Sequence, residues 1–138
     1  MSKIPNGFTP TLNNEHFTGT TGPWYVNTTS QDDTKKPRVL GILIEKKHTN
    51  MIGVVHGGLL VTMADTAMGY SLSRATTPPQ KIVTVSLSSD FLSSAVLGDW
   101  IEAHVTILKI GKRMSYADCQ LKCNSKIIFR SSGVFAKI

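Results

Sequence analysis

Cysteine, aromatic side chains, acid and long apolar runs are all scarce in this chain of 138 residues, and each scarcity removes a class of explanation. The only cysteines are Cys119 and Cys123. On one strand, four residues at ~3.4 Å each hold them roughly 13 Å apart, about twice the reach of a disulfide. They read as reduced packing residues. Zinc requires about four ligands, and the histidines at 16, 48, 56 and 104 show no paired spacing with the two thiols. No metal site is expected. The longest uncharged apolar-rich run, Met51 to Ala64, is interrupted by His56, Gly57 and Gly58 and ends at Asp65. It falls short of the ~20 apolar residues that a membrane span needs. The first sixteen residues, MSKIPNGFTPTLNNEH, hold one lysine and no apolar stretch behind it, unlike a secretory signal. A cytoplasmic protein is expected, with no membrane partner. What is present, 41% apolar and 17% charged residues, suits one globular domain with an ordinary core.

Acid is short by six: 9 Asp and Glu face 15 Lys and Arg. The whole excess lies between positions 109 and 137, where Lys109, Lys112, Arg113, Lys122, Lys126, Arg130 and Lys137 face only Asp118. Such a patch serves nucleic acid, a phosphorylated small molecule or solubility alone. No helix-turn-helix, zinc knuckle or aromatic-rich sheet accompanies it, so a nucleic-acid partner is not expected.

Residues 1–37 are rich in Thr, Asn, Gly and Pro, with one apolar cluster at Trp24, Tyr25 and Val26, and they close on the polar run TSQDDTKKP. They read as an arm and loop packing on a domain that spans 38–138. Val39 to Lys47 has the branched composition of a strand, entered through Pro37. Its end at Lys46, Lys47 and His48 reads as exposed. From His56 to Arg74 apolar residues fall at helical spacing on one side and fill much of the other, the pattern of a helix buried on most sides. ATTPPQ stops it. The period then drops to two: Val83, Val85, Leu87 and Phe91 alternate with Thr84, Ser86, Ser88 and Asp90. Ile101 to Ile107, Ser115 to Lys122 and Ile127 to Ala136 supply three further strands, the last two joined at Asn124-Ser125. One strand, one buried helix and four strands on short turns describe an antiparallel sheet wrapped round a helix. His104 falls on a polar strand face, and Tyr70, Met63, Met68 and Phe91 read as core. A single sheet covers one face of a helix, so a second subunit is expected to supply the rest.

The segment that carries chemistry runs from Asn50 to Ala67. Gly57 and Gly58 open the helix, where first-turn N–H groups point outward unpaired and suit a carbonyl oxygen that becomes an oxyanion. Asp65 stands inside an apolar helix, where Asp has poor propensity and an unpaired carboxylate is costly. The bland readings are a plain tight turn and a buried Asp satisfied by a nearby hydroxyl. Eight residues along one helix separate Gly57 from Asp65 by about 12 Å, whereas both must come within about 3 Å of one reacting carbonyl. If the two cooperate, the donor of one subunit faces the carboxylate of the other.

The pattern N-x2-G-x2-H-G-G from Asn50 to Gly58, followed by A-D-T-A-x-G from Ala64 to Gly69, resembles the hotdog-fold acyl-CoA thioesterases, specifically their PaaI-like, phenylacetate-pathway branch. The resemblance covers roughly positions 38–138, including TVSLSSDFL from Thr84 to Leu92. It implies an α+β hotdog fold, an antiparallel sheet of about five to six strands around a central buried helix. It further implies that the Gly57 N–H polarises a thioester carbonyl, that His56 orients the carbonyl or this loop, and that Asp65 of the facing subunit acts as general base or nucleophile. Asn50 then positions water or substrate, and Thr84 supports the carboxylate or its water. The family often has an acid where this chain has Ser86, and some members a hydroxyl where it has Gly69. No cofactor is implied, since coenzyme A belongs to the substrate. Gly58 is expected beside the substrate, and Lys109, Lys112 and Arg113, which bracket a turn, near the phosphates of coenzyme A. Thioester cleavage needs no serine elbow, and no G-x-S-x-G occurs. Trp24 and Tyr25 either line an acyl pocket or simply pack the arm. A dimer is required on this reading and a tetramer expected. The competing readings are a non-catalytic acyl-CoA-binding protein and a hydratase or dehydratase of the same fold.

Overall fold

The computed structural model describes residues 3–11, 15–27 and 36–138. Most of the polar run 29–37, expected as a loop, lies outside the described residues. Strands β1 (Phe8–Thr11) and β2 (Trp24–Asn27) flank the short helix α1 (Phe17–Thr21). Strand β3 (Leu40–Leu43), a 3-10 turn (Lys46–His48) and the long helix α2 (Gly57–Arg74) follow, then β4 (Ile82–Phe91), β5 (Trp100–Ile110), β6 (Met114–Cys123) and β7 (Lys126–Lys137). All seven strands form one antiparallel sheet in the order β1-β2-β3-β5-β6-β7-β4. This is the α+β hotdog architecture, one strand larger than the upper expectation because the arm adds β1 and β2.

The apolar face of α2 accounts for its position. Leu60, Met63, Ala64, Ala67, Met68 and Leu72 are buried against β4, β5, β6 and β7, and Ile101, Leu121, Phe129 and Phe135 complete the core. Gln80 ends the helix by donating from Nε2 to the Leu72 carbonyl at 2.9 Å, while Ser73 Oγ donates to the Gln80 carbonyl at 2.7 Å. Gly133 lets helix and sheet meet. A Cβ there would stand 2.7 Å from Phe135 Cε1 and 3.1 Å from the sulfur of Met68. Gly133→Ala is therefore expected to destabilise the protein by about 1–3 kcal/mol, read as a lower denaturation midpoint at unchanged m-value.

Four expectations change. The strand expected over 39–47 ends at Leu43, and the chain turns through Lys46–His48 instead. His48 is not an exposed strand end: it is buried, with Nδ1 accepting from the Glu45 N–H at 2.9 Å and Nε2 2.7 Å from the Thr21 carbonyl. Both ring nitrogens are partnered, so burial carries no unsatisfied polar atom. Phe91 is more than half exposed rather than core. The alternation of β4 also breaks. Thr84 pairs with Phe135 and Ser86 with Val134, which leaves Val85 as the extra residue of a bulge. Thr84 consequently shares the helix side with Phe135, as Leu87 does with Gly133, while Val83 and Val85 are exposed. Trp24, by contrast, packs as arm residue onto core, and the β6–β7 turn sits at Asn124 and Ser125 with φ of 52° and 65°.

Candidate active site

Two half-sites lie on the side of α2 that the sheet leaves uncovered. The first is the helix start. His56 caps it, its Nδ1 accepting from the Gly58 N–H at 2.8 Å, so the ring proton belongs on Nε2. Gly58 thus spends its N–H on the cap, and a Cβ on it would lie 2.9 Å from His56 Nδ1. No acceptor among the described residues takes the Gly57 N–H, which stands beside the Phe91 ring; a Cβ at 57 would lie 3.2 Å from Phe91 Cε2. The loop ahead of the cap is built by Asn50, whose Oδ1 accepts from the N–H groups of Ile52 at 3.1 Å and Val54 at 3.2 Å. Gly53, at φ +87°, closes that turn. The Asn50 oxygen is therefore committed to the loop, and its amide NH2 is the end that remains for a ligand. Backbone bonds from the His56 N–H to the His48 carbonyl at 2.9 Å and from Val55 to Ala95 at 2.8 Å fix the loop from both sides.

The second half-site is Asp65, two turns further along. It is half-buried, not enclosed as an apolar helix interior would have it, because its face of α2 carries Thr62, Thr66, Gly69 and Ser73 and is open. Thr84 Oγ1 donates to Asp65 Oδ1 at 2.6 Å, a bond that the Val85 bulge permits by turning Thr84 inward. Asp65 and Thr84 line a cleft of about 580 Å³ that continues past Gly69 and Ser73 to Lys81. A separate cleft of about 550 Å³ lies at the helix start, between α1 and His56. Within one protomer, the roughly 12 Å along α2 keeps Gly57 and Asp65 from meeting one carbonyl.

Lys109, Lys112 and Arg113 are exposed around the β5–β6 turn, apart from both half-sites. Two cations that sequence reasoning left unassigned join them to the Asp65 cleft. The Arg113 carbonyl accepts from the Lys137 N–H at 2.8 Å, and the Lys81 carbonyl accepts from Ile138 at 3.0 Å. Lys81 itself lines the cleft. Its position just ahead of β4 was the available signal.

The thiols take no part in this arrangement. Burial pushes Cys119 up to about 12, and burial followed by the Asp99 carboxylate raises Cys123, so neither offers thiolate at neutral pH. Among the described residues, no three His, Cys, Asp or Glu side chains converge as a metal site would require, and no helix is long and apolar enough to cross a membrane.

Comparison with known proteins draws these observations together. The description of the thioesterase superfamily matches residues 52–127, which hold both half-sites from Gly57 to Thr84. Over 135 residues the chain is 36% identical to a Pseudomonas aeruginosa protein named "Putative esterase", covering 98% of each. Mouse acyl-coenzyme A thioesterase 13 is 33% identical over 87 residues, 62% of this chain and 61% of that one. The structure of the E. coli PaaI protein from the phenylacetic acid degradation operon has the same fold, with a TM-score of 0.68 and 24% identity over 73% of this chain and 72% of that one.

Proposed function

The chain belongs to the thioesterase superfamily, and from that premise we propose that it hydrolyses an acyl- or aryl-CoA thioester to the free acid and coenzyme A, in sites that two copies of the chain build together. The observation that carries this reading is a match of levels. Gly57 lies beside Phe91, and Asp65 is bonded to Thr84, so the midpoint of the pair on α2, near Val61, stands level with the midpoint on β4, near Leu87 and Ser88. β4 is one edge of the sheet, β1 being the other, and it is the edge that carries Thr84 and Phe91. A two-fold axis at that level pairs β4 with its copy antiparallel and sets the Gly57 N–H of one protomer against Asp65 of the other. The exposed Val83, Val85 and Phe91 supply apolar surface for that contact.

Thr84 occupies Oδ1 of Asp65, which leaves Oδ2 to take a proton. As base, Asp65 receives that proton from water while the water oxygen adds to the thioester carbon. The carbonyl oxygen takes up the charge and is held by the Gly57 N–H of the facing protomer. Collapse then breaks the C–S bond and releases coenzyme A as a thiolate, a leaving group that needs little protonation. Acting as nucleophile, Asp65 instead adds directly, expels the thiolate and leaves an anhydride for water to cleave. His56, with Nδ1 held by Gly58, keeps the helix start rigid and presents Nε2–H. The phosphates of coenzyme A fit the cations at the far end of the Asp65 cleft.

Thiol release from a panel of short, medium, long and aryl acyl-CoAs tests the reading directly, with wild type beside Asp65→Asn. Binding of every thioester without turnover would leave an acyl-CoA-binding protein. Lys112→Ala combined with Arg113→Ala is expected to raise KM several-fold at low ionic strength with kcat little changed, since phosphate contacts act on binding and are screened by salt. Kinetics identical to wild type at low salt would remove those two cations from the site.

A further inference from the structure

Helix α1 buries none of its own five residues, yet three side chains from elsewhere hold its carbonyls. Trp24 Nε1 donates to the Thr18 carbonyl at 2.9 Å, His48 Nε2 to that of Thr21 at 2.7 Å and Lys47 Nζ to that of Thr20 at 3.4 Å. The His48 bond has a fixed direction, because Nδ1 already accepts from Glu45 and the proton must sit on Nε2. A buried histidine and a buried tryptophan are thus spent on a segment that adds nothing to the core. What the segment presents is Phe17, 65% exposed, over the cleft of about 550 Å³ at the start of α2. Thr21 and His48 line that cleft on one side, and His56, Leu59 and Thr62 on the other.

We propose that this cleft receives the acyl group of the thioester and that Phe17 limits the length of acyl chain it accepts. His56 and Gly58 line it and flank Gly57 in the chain, so a carbonyl oxygen held by the Gly57 N–H is next to the cleft and its acyl carbons can enter it. The occupant is apolar because, among the described residues, Phe17, Leu59 and three threonines expose mostly carbon there, no carboxylate is present, and the one lysine, Lys47, donates to the Thr20 carbonyl; the Asp65 cleft, with Lys81 at its end, suits the polar arm of coenzyme A. α1 also lies outside the 52–127 segment common to the superfamily, so this wall is an addition of the arm.

The inference rests on the thioesterase reading, and the experiment separates the two. Wild type, Phe17→Ala and Phe17→Trp are compared on straight-chain acyl-CoAs of increasing length, by thiol release and by calorimetric binding. In wild type, kcat/KM is expected to rise roughly fourfold per added methylene until the chain meets Phe17, then to fall. Phe17→Ala moves that optimum to longer chains and Phe17→Trp to shorter ones. An optimum at the same length in all three proteins overturns the proposal, as does an equal loss on every substrate, which is what a merely structural Phe17 would produce. If no thioester turns over but binding still depends on length and shifts with residue 17, the pocket stands and the hydrolase reading fails. Absence of both turnover and length-dependent binding overturns both.

Discussion

Asp65→Asn is expected to lower kcat for thioester hydrolysis by roughly 10²–10⁴-fold, with KM little changed. Asparagine has nearly the shape of aspartate, and its Oδ1 still accepts from Thr84 Oγ1, so the 2.6 Å bond and the packing of α2 survive. What disappears is an oxygen able to take a proton or to attack carbon. The loss therefore falls on the chemical step. Circular dichroism and thermal unfolding matching wild type are part of the expected result, since Asp65 is only half-buried and leaves no uncompensated charge when replaced. A variant retaining wild-type kcat would make Asp65 a structural partner of Thr84, as a buried Asp satisfied by a hydroxyl would be.

The second large effect concerns the Gly57 donor. Gly57→Pro removes one N–H at the first helical position, where proline is well tolerated. One oxyanion donor is worth about 3–4 kcal/mol, so kcat should fall by roughly 10²–10³-fold. Gly57→Ala keeps the N–H and meets the same Phe91 contact, so it separates loss of the donor from crowding, and it should retain most activity. The decisive step is to co-express the two dead proteins. In a mixed dimer of Asp65→Asn and Gly57→Pro, a site built across the two-fold axis has both groups intact once and both missing once. Random pairing then restores about a quarter of the wild-type sites. If donor and base belonged to one protomer, every site in the mixture would lack one of them, and activity would stay at the level of the separate variants.

The parts of this molecule that sequence made legible are those governed by neighbours in the chain. Helical spacing from Leu60 to Leu72, the His-Gly-Gly entry and the ATTPPQ stop are local signals, and α2 begins and ends where they put it. The turn at Asn124-Ser125 is local too. His48 misled because two lysines precede it, whereas its burial depends on Glu45 and on the Thr21 carbonyl, 27 residues away. β4 misled for a related reason. Its alternating valines suggest one phase throughout, but the phase is set by pairing with β7, which skips Val85. The arm was legible as a packed segment around Trp24, yet its two strands extend the sheet through backbone groups, β1 on β2 and β2 on β3, which leave little trace in side-chain type. Asn50, Gly57, Asp65 and Thr84 were all readable as residues of interest. Helix rise already set Gly57 apart from Asp65, and the resemblance implied that Thr84 supports the carboxylate; what the sequence did not show is that an extra residue, Val85, turns Thr84 toward it.

A β-strand has a reading frame of two, and Val85 is a frameshift within it. Upstream, Ile82 and Thr84 look toward the helix; downstream, Leu87 and Phe91 do, and one uncounted residue reconciles the two. Deleting that one residue therefore restores strict alternation and changes the count between threonine and Leu87, not the side either faces. A descendant that lost Val85 would run in one phase throughout, its apolar residues in place and its threonine now two positions before Leu87, still on the helix side with the carboxylate. A relative without the extra residue is expected to place its hydroxyl two positions before the counterpart of Leu87. Ungapped comparison of such a pair would pair the carboxylate with the wrong neighbour.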